Sequence, residues 1–77
     1  MIGERIALTR LREEAGYSRA ELGRRARIHP AREGQIERGR VIPYDVELIR
    51  LAEALDFHDD PADLLHAIDA SAESTGS

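Results

Sequence analysis

The stretch "HPAREGQIERGR", residues 29–40, places Arg32, Arg38 and Arg40 around an apolar Ile36 and closes through Gly39. Pro30 suits the first position of a helix, where no N–H is needed, and glycine suits the position just past a helix end. The segment therefore predicts a helix from Pro30 to about Arg38. On a wheel of about 3.6 residues per turn, Ala31, Gly34, Gln35 and Arg38 share one face and Glu33, Ile36 and Glu37 the other, with Arg32 on the flank. One face is polar and open; the other carries the residue a core would take.

Upstream, "SRAE" begins at Ser18, an N-cap, and Glu21 completes a capping box. That helix runs from about Arg19 to Ala26, buries Leu22 and Ala26, and turns Arg24 and Arg25 to solvent, with Tyr17 stapling its start. A first helix spans about Ile2 to Glu14 and stops at Gly16, with Leu8, Leu11 and Ala15 on one face and Ile2 and Ile6 on another. Downstream, "RVIPY" is an extended link, since Pro43 biases Ile42 away from helix. A fourth helix follows from Asp45 to about Leu55, with Leu48, Leu51, Ala52 and Leu55 inward. Asp59 or Asp60 caps a fifth, with Pro61 at its start and Leu64, Leu65 and Ile68 as its apolar face. No alternating run marks a strand. The expected fold is all-α, a compact five-helix domain over residues 1–70, with "SAESTGS", residues 71–77, as a disordered polar tail or linker.

A chain of 77 residues supports one small, marginal core, so a second subunit would help. Its net charge of −4 conceals a split. Residues 1–40 hold ten arginines against six glutamates, +4; residues 41–77 hold Arg50 against nine acids, −8. A ligand within a Debye length, about 8–10 Å, feels the nearer half. The acidic total therefore leaves room for a polyanion on the amino-terminal half. Cysteine is absent, which excludes disulfides and thiolate metal sites. No run approaches the roughly 18 apolar residues of a membrane span, and "MIGERIALTR" carries charge where a signal peptide has an apolar core. His58, Asp59, Asp60, Asp63 and His66 cluster, but capping explains the aspartates better than a metal does. With serines only at a cap or in the tail and no phosphate loop, neither catalysis, a cofactor nor a small-molecule ligand is expected.

Two short helices joined by a tight turn suggest a helix-turn-helix. The ordered set "LREEAGYSRAELGRRARI" (11–28), "GQIERGRVIP" (34–43) and "ELIRLAEAL" (47–55) resembles the DNA-binding domain of lambda-repressor-like, XRE-type regulators, over about Ile6 to Phe57. The resemblance implies five packed helices with the third in the major groove of double-stranded DNA. It implies a structural salt bridge between Arg12 and Glu37; at Arg19, where the family commonly has a phosphate- or base-contacting glutamine, an arginine can still reach a phosphate. On the wheel, Gln35 can pair with adenine, Arg32 with guanine or phosphate, and Ala31 can touch a thymine methyl. Gly34 permits close backbone approach, while Arg38 and Arg40 are placed for phosphate. Three residues depart from the family pattern. Arg27 stands at the usual turn glycine. Glu33 stands at a usual core Val or Ile and needs a partner, either Arg27 or an arginine of helix two, unless the helix is rotated. Gly34 weakens the helix.

These readings point to a cytoplasmic, sequence-specific DNA-binding regulator, not an enzyme. The expected form is a phage-type repressor, Cro-like or controller protein, or the amino-terminal domain of a longer repressor. It is expected to act as a homodimer through Leu64, Leu65 and Ile68, with Ile2 and Ile6 as further candidates. The alternatives are a protein-interaction module, an antitoxin or anti-regulator, whose acidic half holds a basic partner, and a metal-dependent hydrolase.

Overall fold

The computed structural model describes residues 5–68. A two-residue strand β1 (Arg5–Ile6) leads into α1 (Ala7–Ala15), α2 (Arg19–Ala26), α3 (Pro30–Glu37) and α4 (Asp45–Ala54). A 3-10 turn (Pro61–Leu65) and a second short strand β2 (Ala67–Ile68) follow. The strands pair antiparallel, Arg5 opposite Ile68 and Ile6 opposite Ala67.

The expected five helices are thus four plus a 3-10 turn, and a small strand pair stands where none was expected. The cause is competition for hydrogen bonds near the two ends. Ile6 is extended, and the Ala7 N–H, which a longer helix would have used internally, donates to the His66 carbonyl at 2.9 Å. The first helix therefore starts at Ala7 rather than Ile2. At the other end the 3-10 turn closes by short-range bonds, Asp63 N–H to Asp60 O and His66 N–H to Asp63 O, and His66 then extends into β2. Asp60 caps the turn by accepting from Ala62 N–H at 3.1 Å. Ile2 and residues 71–77 lie outside the described residues, as does the Ile68 side chain.

The core consists of Leu8, Leu22, Ala26, Ile28, Ile36, Leu48, Leu51, Ala52 and Leu64, with Ile6, Leu11 and Leu65 among the half-buried residues packed against it. α1, α2 and α4 contribute apolar residues at i, i+3 or i+4 spacing, while α3 contributes Ile36. Leu64 is fully buried. Its expected role in a dimer interface is corrected: it seals the domain's own core and has no surface to share. Of the other expected inward residues, Ala15 is exposed.

Two positions set the tight α2–α3 approach. Gly23 is the close contact: a Cβ there would lie 2.7 Å from the Ile28 carbonyl and 3.3 Å from Pro30 Cα. Arg27 closes α2 in the left-handed region, φ 61°, so the turn has its usual shape without a glycine. The Ile28 N–H then returns to the Gly23 carbonyl at 2.8 Å. No helix among the described residues is long and apolar enough to cross a membrane.

Candidate nucleic-acid interface

The Ser18 hydroxyl accepts from Glu21 N–H at 3.0 Å, capping α2 and fixing Arg19 at its first turn. For α3, His29 Nδ1 accepts from Ala31 N–H at 3.1 Å and Pro30 fills the first position. These local bonds start the helix pair at defined points, which aims α3 across α2.

The inner face of α3 is tied on two sides. Toward α1, Arg12 Nε donates to Glu37 Oε2 at 2.7 Å and Arg12 Nη2 to Glu37 Oε1 at 3.3 Å. Thr9 Oγ1 donates to Glu37 Oε1 at 3.0 Å, and Arg19 Nε reaches the same oxygen at 3.3 Å. Toward α4, Arg32 donates to both oxygens of Glu47 at 2.6 and 2.9 Å, and its guanidinium lies 5.2 Å from the centroid of the Tyr44 ring. Glu47 also accepts from Tyr44 N–H at 2.8 Å, capping α4. Chiefly through the Arg32 hydrogen bond, Glu47 is held below the ordinary carboxylate range. Arg32 is therefore a crossbrace between α3 and α4, its Nε and Nη2 engaged by Glu47.

Glu33 is fully buried beside Ile36, so the helix is not rotated from the sequence placement. The expected arginine partner is corrected, because no donor reaches either carboxyl oxygen. The neighbour is Glu37. Burial, then the hydrogen bond to Glu37 and that residue's charge, push the Glu33 pKa up to about 9, against lesser opposing effects of Arg12 and Arg19. At neutral pH Glu33 is thus an uncharged acid, whose O–H donates where a carboxylate could only accept. Burial works against the charge on Glu37. The hydrogen bonds from Glu33, Arg12 and Thr9 outweigh it and hold that carboxyl below its usual range. The core position of Glu33 is tolerable because it is a neutral donor to a neutralised carboxylate.

The outer face of α3 presents Ala31, Gln35 and Arg38, all exposed, with Arg40 exposed just beyond Gly39. Gly34 is covered by the side chains of Arg38 and Arg19 rather than left bare. The arginines whose side chains are described divide into two groups. Arg10, Arg12, Arg19, Arg24, Arg25 and Arg32 pair with glutamates. Arg27, Arg38, Arg40 and Arg50 enter no ion pair among the described residues. Arg38 and Arg40 lie at the end of α3; Arg27 and Arg50 line a separate cavity of about 330 Å³ between the ends of α2 and α4. Arg24 and Arg25 are occupied by Glu21, and Arg25 also stacks 4.6 Å over Tyr17.

A family model described as a helix-turn-helix domain matches residues 5–65. The chain belongs to that helix-turn-helix family. No curated protein and no solved structure matches it. The match spans the four helices and the 3-10 turn, α2 and α3 among them. Such a domain is a DNA-binding module of regulators.

Some features of the domain were missed in the sequence. The Arg32–Glu47 crossbrace joins residues fifteen apart and leaves no helical-period signal. Gly23 reads as an ordinary helix glycine until the Ile28 carbonyl is set against it. Ile42, Tyr44, Val46 and Ile49 are large apolar side chains left exposed, a grouping that only folding reveals. In the late cluster, His58 pairs with Asp56 at 2.8 Å and His66 with Asp63 at 3.6 Å. No three of its residues gather as a metal would require among the described residues.

Proposed function

We propose that this domain is a sequence-specific regulator that reads double-stranded DNA in the major groove with α3. Its proposed form is a cytoplasmic homodimer on a palindromic operator, in the manner of a phage-type repressor, a Cro-like protein or a controller protein. The observation that supports it is the division of α3. Its inner face is braced by Arg12 and Arg32, while its outer face presents Ala31, Gln35 and Arg38 with Arg40 beyond, the two arginines free of ion pairs. A helix held rigidly on one side and supplied with unspent donors on the other suits groove reading.

In this reading Ala31 and Gln35 meet base edges, and Arg40 meets phosphate. Arg19 exchanges Glu37 for phosphate. Arg32 stays with Glu47 and acts by position. A two-fold partner must bury apolar surface, and with Leu64 sealed, that surface is Ile42, Tyr44, Val46 and Ile49. The two recognition helices would then meet half-sites about 34 Å apart.

The test is a selection from random duplexes, followed by binding at varied salt. Gln35→Ala should change which sequences are preferred. Arg40→Ala should weaken all sequences alike and reduce the slope of log K against log salt by about 0.9 per half-site, about 1.8 for the dimer. Light scattering of the wild type and of Ile42→Glu reads the dimer. Absence of duplex binding at low salt would replace this function with a module whose acidic half holds a basic protein.

A further inference from the structure

Arg38 caps α3, yet its side chain does not continue past the helix end. It folds back over Gly34: a Cβ at Gly34 would lie 3.3 Å from Arg38 Nη1 and 3.9 Å from its Cζ, with Arg19 Cδ at 3.7 Å on the other flank. This follows helix geometry, in which a side chain leans toward the amino end and covers the residue four earlier. Any side chain at position 34 would crowd this path. Gly34 weakens a helix interior, and the seat it provides for the Arg38 guanidinium is what the structure offers in return.

The fold-back carries the charge about one turn, roughly 5.4 Å, toward the amino end of α3. It thereby lies level with Gly34, in mid-helix, nearer the amino-terminal residues that reach base edges than a group beyond the helix end would be. Arg40 has no such route. It lies beyond the Gly39 turn, φ 74°, with its own N–H spent on the Gln35 carbonyl at 2.9 Å. The two unpaired arginines at this end of the helix therefore have different reach.

We propose that Arg38, seated on Gly34, reads a guanine edge in the major groove rather than serving as a second phosphate clamp. This deepens the DNA-binding reading and rests on it. A guanidinium matches guanine O6 and N7 with two parallel donors, and no glutamate competes for Arg38. Beside Gln35 it would make the preferred half-site contain a guanine near the adenine that Gln35 reads.

Random-duplex selection with the wild type, Arg38→Ala, Arg38→Lys and Arg40→Ala tests this. One guanine should be strongly preferred by the wild type and by Arg40→Ala. Arg38→Ala should relax that position by roughly tenfold or more, while Arg38→Lys, which lacks the rigid fork, relaxes it less and keeps the wild-type salt slope because its charge remains. Gly34→Val fills the seat and should lose the same guanine preference while its helix content is retained. A uniform loss of affinity in Arg38→Ala, with preferences intact and a flatter salt slope, overturns the assignment. So does a Gly34→Val protein that keeps the guanine preference. Wild-type protein with no preferred sequence overturns the regulator reading as well, so the two failures are distinguishable.

Discussion

Glu37 and Glu47 each hold an arginine with both carboxyl oxygens, one where α3 meets α1 and the other where it meets α4. The Glu37 side chain is 1% exposed and that of Arg12 10%, whereas at the second brace Arg32 is 31% exposed. Glu37 also gathers Thr9, Arg19 and the uncharged Glu33, while Glu47 needs only Arg32 and a backbone N–H. Two braces with the same chemistry therefore have different consequences. Where water is excluded, a missing partner strands a charge; where water reaches, it can replace the partner.

Arg12→Ala should break the deeper brace at a cost of about 3–5 kcal/mol, because Glu37 would be left buried and short of donors. Urea unfolding measures it, and a cost under about 1 kcal/mol would erase the distinction between the two sites. Next in size is the effect of Glu33. Its pKa is raised in the fold, from 4.5 to about 9, so folding favours the protonated acid. The stability tied to it is complete below about 4.5 and declines as pH rises toward 9, by on the order of 1 kcal/mol per unit. Glu33→Gln keeps the shape and removes this decline, so its urea midpoint should exceed that of the wild type by a margin that widens from pH 5 to pH 8. A margin independent of pH would show that Glu33 is not the titrating group.

Arg32→Ala should cost about 1–2 kcal/mol in stability, less than Arg12→Ala, since the buried Glu47 loses its charged partner but keeps its bond to Tyr44 N–H. Its larger effect should fall on DNA, as α3 loses its hold on α4; an unchanged stability together with unchanged sequence preference would deny Arg32 any positioning role. Tyr44→Ala should have the smallest effect, about 0.5 kcal/mol, by removing the ring beneath that exposed guanidinium.

The contrast also explains what could be read beforehand. The starts of α2, α3 and α4 at Arg19, Pro30 and Asp45 depend on caps within three residues, so local sequence was enough. The apolar stripe of Leu48, Leu51 and Ala52 was visible for the same reason. The Arg32–Glu47 bond was not legible because a wheel registers which side a residue faces and knows nothing of a glutamate fifteen positions on. Glu33 was expected to need an arginine, since a charged carboxylate would; the solution was to lose the charge, which depends on a three-dimensional neighbour. The start of α1 at Ala7 depends on a backbone bond to His66 from the opposite end of the described chain, a contact that no local window contains.

The same meeting of ends has an engineering consequence. Arg5 and Ile68 sit across from each other in the strand pair, so the two ends of the described chain lie about one strand spacing apart. A short loop could splice those termini, and new ones could be cut between α1 and α2 without stretching the backbone. By the same token, the whole unit could be inserted into a surface loop of a host protein, entering and leaving through a gap only one strand spacing wide.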